Sequence, residues 1–109
     1  MVTNDLPPEK IRLARMLKAL GNPVRFQIME FLAGQQVCIT TDIVRQLPLA
    51  QSTTSQHLKV LREAGLVRGE VEGPATCYCL DPDGIQWLKD QLGAWLPECC
   101  RPADQVIKL

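Results

Sequence analysis

The 109-residue sequence predicts a mainly helical α+β domain organised around two short helices joined by a turn. Three observations point there. Apolar residues recur at helical spacing through most of the chain. Near the middle, two such stretches flank Pro48-Leu49-Ala50, which a helix cannot run through. Leu66 to Glu72 and Thr76 to Leu80 then read as a β-hairpin around Gly73-Pro74.

The elements follow in order. Pro8 to Leu20 reads as a helix, with proline in its first turn and Glu9 near its positive end. Its apolar residues Ile11, Leu13, Ala14, Met16, Leu17, Ala19 and Leu20 cover more than one stripe, so the helix is buried on more than one side. In so small a domain the second side belongs to a partner. Asn22-Pro23 supplies an N-cap and N1 proline for a helix through Leu32, with Phe26, Ile28 or Met29, Phe31 and Leu32 inward and Gly34 as its stop. Val37-Cys38-Ile39 is a short extended piece, Val37 and Ile39 inward and Cys38 outward. Asp42 to Leu47 places Ile43, Val44 and Leu47 on one face, with Thr40 or Thr41 free to cap. Gln51 to Glu63 buries Thr54, Leu58 and Leu61 and stops at Gly65, a C′-type glycine. Asp81-Pro82 opens the last helix, 83–96, whose Ile85, Leu88, Leu92, Trp95 and Leu96 form a stripe closed by Pro97. Trp87 falls beside it, and both tryptophans are expected in core or dimer packing.

What the second helix of the pair leaves outside is short and hydrogen-bonding, a face that can enter a major groove. Gln51, Ser52, Thr53, Ser55 and Gln56 form its leading half, where Ser52, Thr53, Ser55 and Gln56 are expected to read bases. Lys59, Arg62 and Arg68 are expected to hold phosphates, contacts that position without specifying. His57 sits on the same helix beside Leu58, and a packed, hydrogen-bonded histidine is expected there before a DNA contact. Twelve basic and twelve acidic residues cancel, which argues against strong non-specific DNA binding and makes a dimer with two reading helices more necessary. The distribution is uneven: Lys10, Arg12, Arg15, Lys18 and Arg25 run without an acid between them, whereas acids dominate from Asp81 onward.

Three stretches, ALGNPVRFQIMEFL (Ala19 to Leu32), STTSQHLKVLREAGLV (Ser52 to Val67) and RGEVEGPATCYCL (Arg68 to Leu80), resemble the ArsR-type (ArsR/SmtB) family of small bacterial winged-helix repressors. They cover about two thirds of the chain in the family's order, and the combination is more specific than any one of them. The resemblance implies a homodimeric winged helix-turn-helix of about five helices with a β-hairpin wing. Its dimer helices would be about 8–20 and 83–96, its partner double-stranded operator DNA, and its inducer a metal, a metalloid or a thiol-reactive signal.

Five cysteines in a cytoplasmic chain call for an explanation other than structural disulfides, which a reducing compartment does not favour. By alternation Cys77 and Cys79 share the face opposite Tyr78 and Leu80. Winged-helix folds pair the short strand with the outer hairpin strand, so the resemblance adds Cys38 to a solvent-facing trio of thiolates. Cys99-Cys100 is a second cluster, and vicinal cysteines near the C-terminus resemble those of arsenite-sensing members, although no third cysteine follows here. The family's zinc site on the last helix is not matched, because the one histidine is His57. Thiolates are soft ligands, suited to As(III), Sb(III) or other thiophilic ions. Cys99 and Cys100 are the favoured sensing pair, with Cys38, Cys77 and Cys79 as the second cluster.

No cofactor is expected to be required for folding. The chain is expected to be a single domain over 1–109, cytoplasmic, with no membrane-spanning run and no signal peptide. An enzyme is not expected: there is no CxxC, no Gly-rich phosphate loop and no second histidine. The expected function is a repressor released from its operator by a thiophilic inducer, arsenite or antimonite foremost. The alternatives are a thiol-redox or persulfide-responsive repressor, and a winged-helix module that no longer binds DNA.

Overall fold

The computed structural model describes residues 5–35, 37–40, 43–44, 54–72 and 75–96. Helix α1 (Pro8–Leu20) and helix α2 (Pro23–Ala33) lead into a two-residue strand β1 (Ile39–Thr40). Helix α3 (Thr54–Glu63), the hairpin β2 (Val67–Glu72) and β3 (Ala75–Leu80), and helix α4 (Pro82–Trp95) follow. Ile43 and Val44 are helical and fall inside the expected helix Asp42 to Leu47, whose other residues lie outside the described ones. Four helices are thus described in full, against an expectation of about five.

The caps explain the boundaries. Asn22 Oδ1 accepts from the amides of Val24 at 2.9 Å and Arg25 at 3.1 Å, with Pro23 at the first position, which needs no donor. Asp81 Oδ1 does the same for Asp83 and Gly84, both at 3.1 Å, ahead of α4. Helix α3 ends where Gly65 takes a φ of +84°, a conformation glycine adopts without steric cost. There Leu66 N donates to Leu61 O and Gly65 N to Arg62 O, each at 3.0 Å, the paired bonds of a Schellman turn.

The sheet is antiparallel in the order β1-β3-β2. Helix α2 packs on β3 and helix α3 on β2, and α1 packs on those two helices. Met16, Ile28, Val44, Leu58, Leu61, Leu66 and Val67 are essentially inaccessible, and Tyr78 and Leu80 pack against this core from the sheet. Burying side chains of this size contributes about 1.5–3 kcal/mol each before ordering costs are subtracted.

Three expected inward residues are outside. Phe26 is 47% exposed: the buried stripe of α2 is Ile28, Met29 and Leu32, and Phe26 lies roughly 110° round the helix from its centre. Val37 is 69% exposed because β1 starts only at Ile39, so strand alternation does not reach back to it. Ile43 is 44% exposed while its neighbour Val44 is fully buried. Of the last helix's expected stripe, Leu88 is buried and Ile85 and Leu92 are half-buried, but Trp95 and Leu96 are more than half exposed. Trp87 is half-buried, with the Arg12 guanidinium 3.9 Å from its ring centroid, so a cation–π contact pins α4 to α1.

Candidate nucleic-acid interface and a cysteine row across the sheet

Helix α3 buries Thr54, Leu58 and Leu61, the i, i+4, i+7 set expected of it. The opposite face follows from that seam: Ser55, Gln56, Lys59 and Arg62 are all exposed. Lys59 Nζ lies 3.9 Å from Glu63 Oε1, an exposed i,i+4 pair that water screens and a phosphate could displace. Gln51, Ser52 and Thr53, the expected leading edge of this face, lie outside the described residues.

His57 flanks the seam and is half-buried. Its partner comes from α2, where Arg25 places Nη1 3.4 Å from His57 Nδ1. Arginine only donates, so in this contact the imidazole accepts at Nδ1. Arg25 Nε also donates to Ala19 O at 2.7 Å, and Nη2 to Lys18 O at 3.5 Å, so one guanidinium joins the carbonyl end of α1 to the middle of α3. Burial, and secondarily the Arg25 charge, hold the His57 pKa below its ordinary value. His57 is therefore packed and hydrogen-bonded, as expected. In the sequence Arg25 belongs only to a basic run; 32 residues separate it from His57, and no local pattern signals the contact.

The sheet carries a second arrangement. Ile39 pairs with Tyr78 and Thr40 with Cys77, so Cys38 stands opposite Cys79 one step earlier. On the other side of β3, Arg68 pairs with Cys79. Cys38, Cys79 and Arg68 therefore form one row across the three strands. Cys38 and Cys79 are joined as a disulfide with their Cα atoms 4.5 Å apart, a separation a disulfide spans. Arg68 Nε donates to Cys79 Sγ at 3.4 Å. Beside the pair opens a cavity of about 270 Å³ bounded by Leu32, Gln35, Val37 and Arg68.

This corrects the expected trio. Cys77 shares the face of Cys79 by alternation but is only 7% exposed, and it is a free thiol one row away, opposite Thr40. Alternation tells which side of a sheet a residue occupies, not what covers that side. Among the described residues no three His, Cys, Asp or Glu side chains are grouped to hold a metal ion, so the three-thiolate patch is not formed there. The bonded pair also departs from the expectation that the cysteines avoid disulfides. Cys99 and Cys100 lie outside the described residues.

At the far side of the domain, Leu6, Pro7, Leu13, Ala14, Leu17 and Trp95 line an apolar groove of about 450 Å³ between α1 and the end of α4. Leu17 is 36% and Ile11 41% exposed, so α1 is apolar on a second side as its sequence implies. No described helix is long and apolar enough to cross a membrane.

The sequence profile of the arsR family of bacterial regulatory proteins matches residues 22–68, which run from the cap of α2 to the first residues of β2. The chain is 37% identical to the HTH-type transcriptional regulator Rv2034 of Mycobacterium tuberculosis over 78 residues, 72% of each chain. It is 41% identical to the HTH-type transcriptional repressor SmtB of the same species over 68% of this chain and 56% of that longer one. Among solved structures, the homodimeric winged helix-turn-helix DNA-binding domain Mb0332 of Mycobacterium bovis superposes with a TM-score of 0.61 at 26% identity, covering 83% of this chain and 88% of that one. Rv2034 and SmtB are transcription regulators, and Mb0332 is a winged helix-turn-helix; the corresponding parts here are the helical stretch holding Ile43 and Val44, helix α3, and the β2–β3 hairpin as the wing. The chain belongs to the ArsR family of bacterial transcriptional regulators.

Proposed function

We propose that the chain is a cytoplasmic, homodimeric, DNA-binding repressor that leaves its operator when arsenite or antimonite is captured by Cys99 and Cys100. The observation that carries the DNA-binding part is the outer face of α3, where Ser55, Gln56, Lys59 and Arg62 are exposed opposite a fully buried seam. In this reading Gln51, Ser52, Thr53, Ser55 and Gln56 face bases, and Lys59, Arg62 and Arg68 face phosphates. Two-fold pairing through the α1–α4 groove would present two such helices to successive major grooves. The homodimeric state of Mb0332 supports that pairing, and the name of SmtB supports repression. The thiophilic inducer rests on the softness of vicinal thiolates.

The test is fluorescence anisotropy of a labelled duplex from the protein's own upstream region, titrated with arsenite. Wild type should bind and be released; Cys99→Ser/Cys100→Ser should bind and stay. Release of the double variant would refute the sensing pair, and absence of binding in every duplex tried would refute the repressor. The bonded Cys38–Cys79 pair favours a second reading, in which the releasing signal is oxidation of sulfur.

A further inference from the structure

We propose that Cys79 is a hydroperoxide-reactive thiol, Cys38 its resolving partner, and Arg68 the cation that activates it. The inference deepens the oxidative reading above by naming the reacting atoms, and its chemistry is read on the protein alone, so it can fail while DNA binding stands.

The row supplies what such a site requires. A guanidinium beside a thiol favours the thiolate, which is the nucleophile, and Arg68 Nε points at Cys79 Sγ from 3.4 Å. Cys38 stands on the far side of Cys79, with Arg68 two strands away. The Cα atoms of the two cysteines are 4.5 Å apart, a separation a disulfide spans, so resolution needs no strand to move. Both cysteines are half-buried rather than sealed, and the adjoining cavity of about 270 Å³ admits a small hydroperoxide to them. Cys77, buried and outside the row, has none of these features. In a reducing compartment a disulfide of this kind is transient and redox-sensing rather than structural.

The chemistry balances in two steps. The Cys79 thiolate attacks the terminal oxygen of ROOH; a sulfur–oxygen bond forms, the oxygen–oxygen bond breaks, and RO⁻ takes a proton and leaves as the alcohol, or as water when the oxidant is hydrogen peroxide. Cys79 is then a sulfenic acid. The Cys38 sulfur attacks the Cys79 sulfur; the disulfide forms, the sulfur–oxygen bond breaks, and hydroxide leaves with the Cys38 proton as water. Two thiols lose two electrons in total, and one hydroperoxide is reduced by two.

The experiment treats reduced full-length protein with hydrogen peroxide, blocks remaining thiols by alkylation, and maps peptides by mass spectrometry. The first oxidised product should be the Cys38–Cys79 cross-link, with Cys77 still alkylated. Cys38→Ser should accumulate a dimedone-labelled Cys79, whereas Cys79→Ser should leave Cys38 unlabelled on that timescale. Arg68→Met should slow labelling of Cys79 by about threefold, since a smaller thiolate share is partly offset by greater intrinsic nucleophilicity, and Arg68→Lys should restore most of it. A first cross-link to any other cysteine, equal labelling of Cys38 and Cys79 in the two serine variants, or an Arg68→Met rate equal to wild type would each overturn the assignment.

Discussion

Two glycines of helix α4 give opposite predictions for the same substitution. Gly84 and Gly93 are both helical, and glycine inside a helix costs roughly 1 kcal/mol relative to alanine, so propensity alone makes each Gly→Ala stabilising by about that amount. At Gly93 a Cβ would meet nothing within 4 Å, so the propensity gain stands. At Gly84 a Cβ would collide with the carbonyl oxygen of Gly65, with the carbonyl carbon 3.0 Å away. Those are backbone atoms of the turn that closes α3, and that turn is itself held by the amide of Asp81 donating to Leu66 O at 3.0 Å. They cannot swing aside as a side chain would. Overpacking of this kind costs about 1–3 kcal/mol, and a rigid backbone neighbour places it at the upper end. Less the propensity gain, Gly84→Ala should lose about 2 kcal/mol, and the two variants should differ by about 3. Urea unfolding at one fixed protein concentration measures both, the fixed concentration removing any mass-action contribution from pairing of the chain. Thermal midpoints should fall by roughly 8–10 °C for Gly84→Ala and rise by a few degrees for Gly93→Ala. If Gly84→Ala is as stable as wild type, or if both variants shift alike, the close approach of α4 to the Gly65 turn is wrong.

Gln56→Ala should weaken the cognate operator by roughly 1–3 kcal/mol and relax discrimination at one position, while Lys59→Ala should weaken all duplexes alike and flatten the salt dependence by about one unit; anisotropy at several salt concentrations separates the two. If the chain pairs through the apolar groove as proposed, Leu17→Glu with Trp95→Glu should sediment as a monomer where wild type sediments as a dimer, because both side chains line that groove. His57 has a pH signature: its pKa is depressed from 6.5 by burial and then by Arg25, so the unfolded chain binds the proton more readily than the folded one. Its effect on stability is therefore absent above the ordinary imidazole range and appears as a loss as pH falls through 6.5 toward the folded value. Urea unfolding at pH 7.5 and 5.5 should show a smaller acid loss for His57→Gln than for wild type, and equal losses would remove His57 as the cause.

Local chemistry made much of this molecule readable. Asn22-Pro23, Asp81-Pro82 and Gly65 mark helix ends because capping and left-handed turns depend on one or two adjacent residues. The Thr54, Leu58, Leu61 seam follows from helical period, and its exposed complement follows with it. Part of the cysteine row is legible too: a hairpin centred between positions 73 and 74 of the sequence puts Arg68 opposite Cys79. The rest depends on what lies above a surface or far along the chain. Alternation assigned Cys77 to the correct side of β3 yet could not reveal its burial, and nothing local joins Arg25 to His57. Phe26 is apolar yet exposed, because its angle on α2 puts it away from the Ile28, Met29, Leu32 stripe.

The fork made by Arg25 has a mechanical consequence. One guanidinium grips the last carbonyls of α1 and the middle of α3, while Gly84 of α4 abuts the turn at the end of α3. Helix α3, the proposed DNA-facing helix, is thereby fastened at two points to the two helices that border the apolar groove. In a dimer formed through that groove, tilting one protomer against the other would carry each DNA-facing helix as a lever arm, with little slack in between. The distance between the two helix tips, and with it the spacing of operator half-sites the dimer can span, would then be governed at the groove rather than within the helix-turn-helix.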